Sequence, residues 1–225
     1  MFEPRLTIVH NGQSDAETLA DLARDALSEG EEERALPYLS RAAAIRSDAR
    51  LWQWTGLLFR SLDEHDDALR AFENAAHFAP SDPSIAHGYA RIALEAGLHA
   101  VPLFERARQF APANGDVLVG LAAARAAAGQ GEAAAAELDA ILLRAPLWIQ
   151  GHIQLAQLRS VLGQGNAADA SFRRALRMRP SDETLWKSLF DLHLQAERYS
   201  ALKQSLAEGE KAGLTQHLLA EYKAI

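Results

Sequence analysis

Apolar and small residues recur three and four positions apart along this chain, in two alternating series. One runs through Trp52, Thr55, Gly56 and Phe59, then Ala86, Tyr89, Ala90 and Ala93, then Leu118, Leu121, Ala122 and Arg125, and again through His152, Leu155, Ala156 and Arg159. The other follows each of these in turn: Ala68, Phe72 and Ala75; Ala100, Phe104 and Ala107; Ala134, Leu138 and Ile141; Ala168, Phe172 and Ala175. Such spacing puts the residues on one face of an α-helix, so each period predicts two helices. Gly97, Gly129 and Gly163 fall between the two series, where the first helix must stop and glycine takes the left-handed conformation without steric cost. Pro80, Pro112, Pro146 and Pro180 close the second series, each eight residues after its bulky apolar residue. Proline lacks an amide hydrogen and disfavours helical geometry in the residue before it, so these positions predict where the second helix ends. No segment carries the period of a β-strand.

The prolines stand 32, 34 and 34 residues apart, and self-similarity at that period marks a stacked helical repeat. The chain resembles the tetratricopeptide repeat family, whose pattern of Trp, Leu, Gly, Tyr, Ala, Phe, Ala and Pro is matched almost fully by Trp52, Gly56, Phe59, Ala68, Phe72, Ala75 and Pro80. An N-terminal copy keeps the spacing through Leu19, Leu22, Ala23, Gly30, Ala35, Leu39 and Ala42, with Ser47 in place of the proline, and a decayed copy runs through Trp186, Leu189, Leu202 and Leu206. The repeat ending at Pro112 is two residues short, expected in its inter-helix turn. The resemblance implies an all-α fold: an α-solenoid of about six stacked helix-turn-helix repeats, wound as a right-handed superhelix with a concave inner surface. The repeats are expected at approximately 16–48, 49–82, 83–114, 115–148, 149–182 and 183–216, followed by a terminal helix over 214–225, all in one domain spanning 1–225. Gly56, Ala90, Ala122 and Ala156 are small where the helices of one repeat approach closely, and Ala68, Ala100, Ala134 and Ala168 where consecutive repeats touch.

Composition narrows the function. With 225 residues, 48% hydrophobic and 24% charged, the chain is of ordinary globular type. The absence of cysteine rules out disulfides and thiol catalysis. A net charge of −7 argues against nucleic acid as the main partner, because backbone binding needs a basic surface. Residues Met1 to Asn11 lack a basic segment followed by an apolar run, and no stretch is apolar for long enough to cross a bilayer, so no membrane partner and a cytoplasmic location are expected. Abundant arginine and alanine suggest a GC-rich bacterial genome. Charge is uneven: Asp15, Glu17, Asp21, Asp25, Glu29, Glu31, Glu32 and Glu33 crowd the first repeat, and Arg173, Arg174, Arg177 and Arg179 the fifth. Solvated helix faces explain both clusters; head-to-tail association of the opposite ends is the sharper alternative.

No catalytic constellation emerges, and no cofactor or metal is expected. The eight histidines are scattered without the i, i+4 pairing that would gather two ligands, and no glycine-rich phosphate loop follows a strand. His65 and Asp67 have the His-x-Asp spacing of some iron sites, but they are expected in the turn between two repeat helices, where polar residues and a helix N-cap belong.

Function is therefore expected in binding. The resemblance implies that the first helix of each repeat lines the groove, which assigns Arg50, Gln53, Trp54, Leu57, Arg60, His87, Arg91, Gln150, Gln154 and Gln157 to a peptide- or protein-binding surface, with Lys187 and Asp191 further on. Arg50, Trp54, Arg60, His87 and Arg91 suit an acidic peptide or a terminal carboxylate, because arginine binds carboxylates bidentately. Two readings of these residues stay open: Trp54 either faces the ligand or packs beside Trp52, and the arginines either face a ligand or pair with acids such as Glu95. A subgroup of the family grips chaperone C-termini with lysines and asparagines where this chain has Ala20, Arg24, Gln53, Trp54 and Leu57, a departure that argues against chaperone docking. Leu218, Leu219 and Tyr222 predict an apolar helix face at the C-terminus, to be covered either by another subunit, giving a homo-oligomer, or by further chain. The leading expectation is a non-catalytic protein-interaction scaffold. The alternative is the N-terminal, substrate-recruiting part of a larger bacterial enzyme, since Leu51 to Arg60 and Ala86 to Leu98 look similar to repeat regions that continue into a 2-oxoglutarate and iron dependent oxygenase domain.

Overall fold

The computed structural model describes residues 12–223. Among them lie thirteen α-helices and no strand, in two compact units divided after Pro112. The first unit holds α1 (Gly12–Ser28), α2 (Glu32–Arg46), α3 (Ala49–Ser61), α4 (His65–Phe78), α5 (Pro83–Glu95) and α6 (Val101–Phe110). The second holds α7 (Gly115–Ala127), α8 (Gly131–Arg144), α9 (Ile149–Val161), α10 (Gly165–Met178), α11 (Glu183–Gln195), α12 (Tyr199–Lys211) and α13 (Gln216–Lys223). Within each unit every helix packs on its successor. First helices of neighbouring repeats also touch, α3 on α5, α7 on α9 and α11 on α13.

Local chemistry sets the boundaries. α4, α6, α8 and α10 each end two residues before a proline, and the intervening residues Ala79, Ala111, Ala145 and Arg179 have φ between −140 and −128 with ψ between 64 and 75, outside the helical region that a following proline disfavours. Two residues after three of those prolines, Asp82, Asn114 and Asp182 cap the next helix by accepting from its free amides. The fourth repeat boundary departs, with Trp148 at the cap position and no side-chain bond there. The turns inside repeats need a left-handed residue. Gly30, Gly97, Gly129 and Gly163 supply it at φ 72 to 77, but Asp63 and Glu197 occupy the same turns of the second and sixth repeats at φ 64 and 54.

Phe72 is the pivot of the first unit. It is fully buried between two glycines: a methyl group on Gly56 of α3 would lie 2.4 Å from its Cδ2, and one on Gly88 of α5 would lie 2.3 Å from its Cε1. The close approach expected at Gly56 is thus real, and a second one at Gly88 joins the next repeat to the same ring.

Three expectations need correction. The shortened third repeat loses residues from its second helix, not from its turn: α6 has 10 residues against 14 in α4 and α8. Pro102 lies in its first turn, the one place where a missing amide hydrogen costs no helical bond, so the helix starts late. His65 and Asp67 lie within the first turn of α4, not in the turn before it. At the other end, Leu218, Leu219 and Tyr222 turn inward from α13 onto the cluster containing Leu189, Phe190 and Leu206, while Gln216, His217, Glu221 and Lys223 face solvent. The apolar face expected to be open to another subunit is therefore covered by α11 and α12, because α13 packs as the first helix of one more repeat.

Candidate functional site

The α1 residues Ala20, Arg24 and Leu27 follow one another at helical spacing, and Trp54, Leu57 and Ser61 do the same on α3. These two faces enclose a hollow of about 550 Å³, floored by Leu39 and Leu58. Trp54 is 52% exposed here, a large aromatic surface left uncovered by its own fold. Its neighbour Trp52 instead packs into the core on both sides of α3, beside Leu51 and Leu58 and beside Phe72 and Ile85. Trp52 therefore serves packing, and Trp54 faces the hollow.

The cations expected to define this surface are mostly engaged already. Arg60 donates from Nε and Nη2 to the two carboxylate oxygens of Glu95 at 2.6 and 3.0 Å. Hydrogen bonding from Arg60 holds the Glu95 carboxyl below its usual range, and the same contact raises the Arg60 guanidinium. Arg91 Nε lies 3.9 Å from Glu95 Oε1, close enough for an ion pair but not for a hydrogen bond. Arg24, at the rim of the hollow, pairs with Asp21 at 2.6 Å. Gln53 donates to the Ser84 hydroxyl at 2.8 Å and His87 lies against Phe104, so both tie α3 and α5 into the first unit. Arg50 is exposed but does not line the hollow.

Trp54 and Leu57 are thus brought together by the structure, whereas Arg50, Gln53, Arg60, His87 and Arg91 lie outside this lining. Gln150, Gln154 and Gln157 belong to the second unit, on one outward face of α9. Lys187 and Asp191 are held by α13, through Glu221 and the Tyr222 hydroxyl. Leu27 and Ser61 were missed as lining residues, although their spacing from Arg24 and Trp54 was available as a signal. His65 contacts the Asp63 carbonyl at 3.0 Å and Asp67 pairs with Arg70. Among the described residues no group of three His, Asp or Glu side chains is placed to hold a metal ion, and no helix is long and apolar enough to cross a membrane.

Comparison with known proteins agrees with the repeat architecture. Residues 99–158 match the family model described as tetratricopeptide repeat. No curated protein sequence matches significantly. A tetratricopeptide repeat protein from Parabacteroides merdae superposes with a TM-score of 0.74 at 16% identity, covering 93% of this chain and 84% of that one. PilF of Pseudomonas aeruginosa gives 0.64 at 14% identity, over 96% and 99% of the two chains. YrrB, whose structure is described as having an unusual peptide-binding site, gives 0.54 at 17% identity, over 83% and 98%. At these identities the likeness is one of fold. Residues 99–158 thus match the tetratricopeptide repeat family, and the chain shares the all-α fold of helix-turn-helix repeats seen in these structures.

Proposed function

We propose that the chain is a non-catalytic interaction scaffold whose hollow between α1 and α3 receives an extended or helical segment of a partner protein. The observation that carries this reading is Trp54, half exposed beside Leu57 and Leu27 over a concave apolar floor. Large apolar side chains left open in a concave pocket contribute most of the affinity in protein recognition, and aromatic anchors do so most often. The ligand's main contribution is then apolar, since Arg24 at the rim is paired with Asp21 and Arg50 lies outside the lining. Arg60 and Arg91, tied to Glu95, play a smaller part than the sequence suggested. Gln150, Gln154 and Gln157 extend the reading as a row of amides able to hydrogen-bond a peptide backbone in the second unit.

The immobilised 225-residue chain, exposed to extract of its source organism, should retain a partner that the Trp54→Ala, Leu57→Ala variant loses. Equal recovery of every retained protein by both would remove the hollow from the function.

A further inference from the structure

The second unit carries another hollow, of about 530 Å³, where the end of α8, the segment before α9 and the outer face of α10 meet. Its walls are Leu142, Leu143, Leu147, Leu155 and Met178. Leu143 is 85% exposed and Leu147 80% exposed, values near those of an unfolded chain. Leu147 does not dangle. His152, buried beneath it, contacts the Pro146 carbonyl through Nε2 at 2.9 Å, which pins the segment that presents Leu147. The trough is thus pre-shaped, which lowers the ordering cost of binding.

Arg174 and Arg177, exposed and one helical turn apart on α10, also line the trough. Among the described residues the arginines of this unit that form ion pairs are Arg125, Arg159, Arg173 and Arg179, and the pairs of Lys187, His193 and Lys223 likewise leave Arg174 and Arg177 out. The one carboxylate in the lining, Asp139, is engaged by Arg159. A chain of net charge −7 therefore presents, beside the most exposed of its described leucines, two uncompensated cations.

We propose that this trough docks an acidic amphipathic segment of a partner protein, its apolar side chains between Leu143, Leu147 and Met178 and its carboxylates on Arg174 and Arg177. Apolar contact supplies affinity, while charge sets partner choice and encounter rate. A second copy of this chain fits less well, because its acidic first repeat is largely engaged internally: Glu29 and Glu31 with Arg34, Asp21 with Arg24, Glu17 with Arg46.

The test titrates the 225-residue chain against a labelled synthetic peptide carrying leucines on one helical face and glutamates on the other, read by fluorescence anisotropy. Binding should weaken as salt is raised and fall by about tenfold or more in the Arg174→Glu, Arg177→Glu variant and separately in Leu143→Asp. All three positions are exposed, and circular dichroism checks that the variants stay folded. The Trp54→Ala, Leu57→Ala variant should bind this peptide as the parent does, which separates the trough from the hollow of the first unit. The proposal is overturned if a peptide with lysines replacing the glutamates binds equally well, if the charge reversal leaves affinity unchanged, or if only the Trp54 variant loses binding. It is also overturned if sedimentation shows a self-association that the same charge reversal abolishes, which would assign the trough to a second copy.

Discussion

Arg60 and Glu95 face each other across one full repeat, joined by two parallel hydrogen bonds at 2.6 and 3.0 Å. The contact belongs to a wider habit of this chain, in which a polar side chain reaches the adjacent repeat: Gln53 to Ser84, Gln164 to Glu132, Arg198 to Asn166, Arg173 to Ser205 and Glu208. Apolar stacking holds the repeats together, and these bonds fix their register. Because both Arg60 and Glu95 remain about a third exposed, solvent screening keeps the pair's net worth at roughly 0.5–1 kcal/mol. A double-mutant cycle with Arg60→Ala and Glu95→Ala, read by urea unfolding, should return a coupling of that size.

The same pair gives a pH dependence of known sign. Glu95 titrates below its ordinary value of 4.5 in the folded chain, chiefly through the Arg60 hydrogen bond. The unfolded chain takes up that proton first as pH falls, so the contribution is whole above about 4.5 and is lost below it as the folded carboxyl protonates. Glu95→Gln should flatten the acid limb of the stability profile slightly; a variant whose profile superimposes on the parent's would remove the pair from acid stability.

Gly56 and Gly88 should each resist substitution by alanine. The Phe72 ring cannot retreat from a methyl group on one glycine without meeting the other, since its opposite edges face the two. Overpacking of this kind costs about 1–3 kcal/mol. Gly56→Ala and Gly88→Ala should lower the thermal midpoint accordingly, and Phe72→Leu should relieve part of the loss when combined with either. If both alanine variants melt with the parent, the ring is looser than its burial implies.

His193 is wholly buried, with Nε2 3.1 Å from Asp169 Oδ1 but without hydrogen-bond geometry. Burial holds its imidazole below the ordinary value of 6.5; the nearby Arg198 and Arg173 act in the same direction, and Asp169 and Glu208 oppose them. Its contribution to stability is therefore complete above 6.5 and declines as pH drops from there toward the folded value, because the unfolded chain protonates first. Between neutral pH and about pH 5.5 the urea midpoint should fall, and His193→Gln, which cannot titrate, should lose less over that interval.

Much of this fold was legible because it is written locally. Pro80 ends α4 through its own ring, Asp82 caps α5 through its own carboxylate, and Gly97 turns the chain through its own missing side chain. The binding surfaces were less legible because they depend on residues one repeat apart. Arg60 looks like a free cation until Glu95 is placed opposite it, and Leu143 and Leu147 sit at positions the repeat pattern leaves unspecified. Asp63 and Glu197 are informative in the same way. They occupy turns where other repeats use glycine, and a left-handed non-glycine residue is strained. Glu197→Gly should raise stability by up to about 1 kcal/mol, more than Asp63→Gly, since aspartate tolerates that conformation better.

Trp52 and Trp54 offer the sharpest separation of stability from binding, since they lie two residues apart on one helix and face different surroundings. Trp52 contributes to two apolar clusters, and truncating a tryptophan of that kind leaves a cavity worth about 3–5 kcal/mol when burial is complete, less here because Trp52 is half-buried. Trp54 touches mainly the rim of the hollow and keeps half its surface in water, so Trp54→Ala should cost under about 1 kcal/mol. Urea unfolding should therefore rank Trp52→Ala well below Trp54→Ala in stability, while partner retention by the still-folded Trp54→Ala chain falls. A Trp54→Ala variant as unstable as Trp52→Ala would mean that Trp54 is a packing residue, and the case for the hollow between α1 and α3 would go with it.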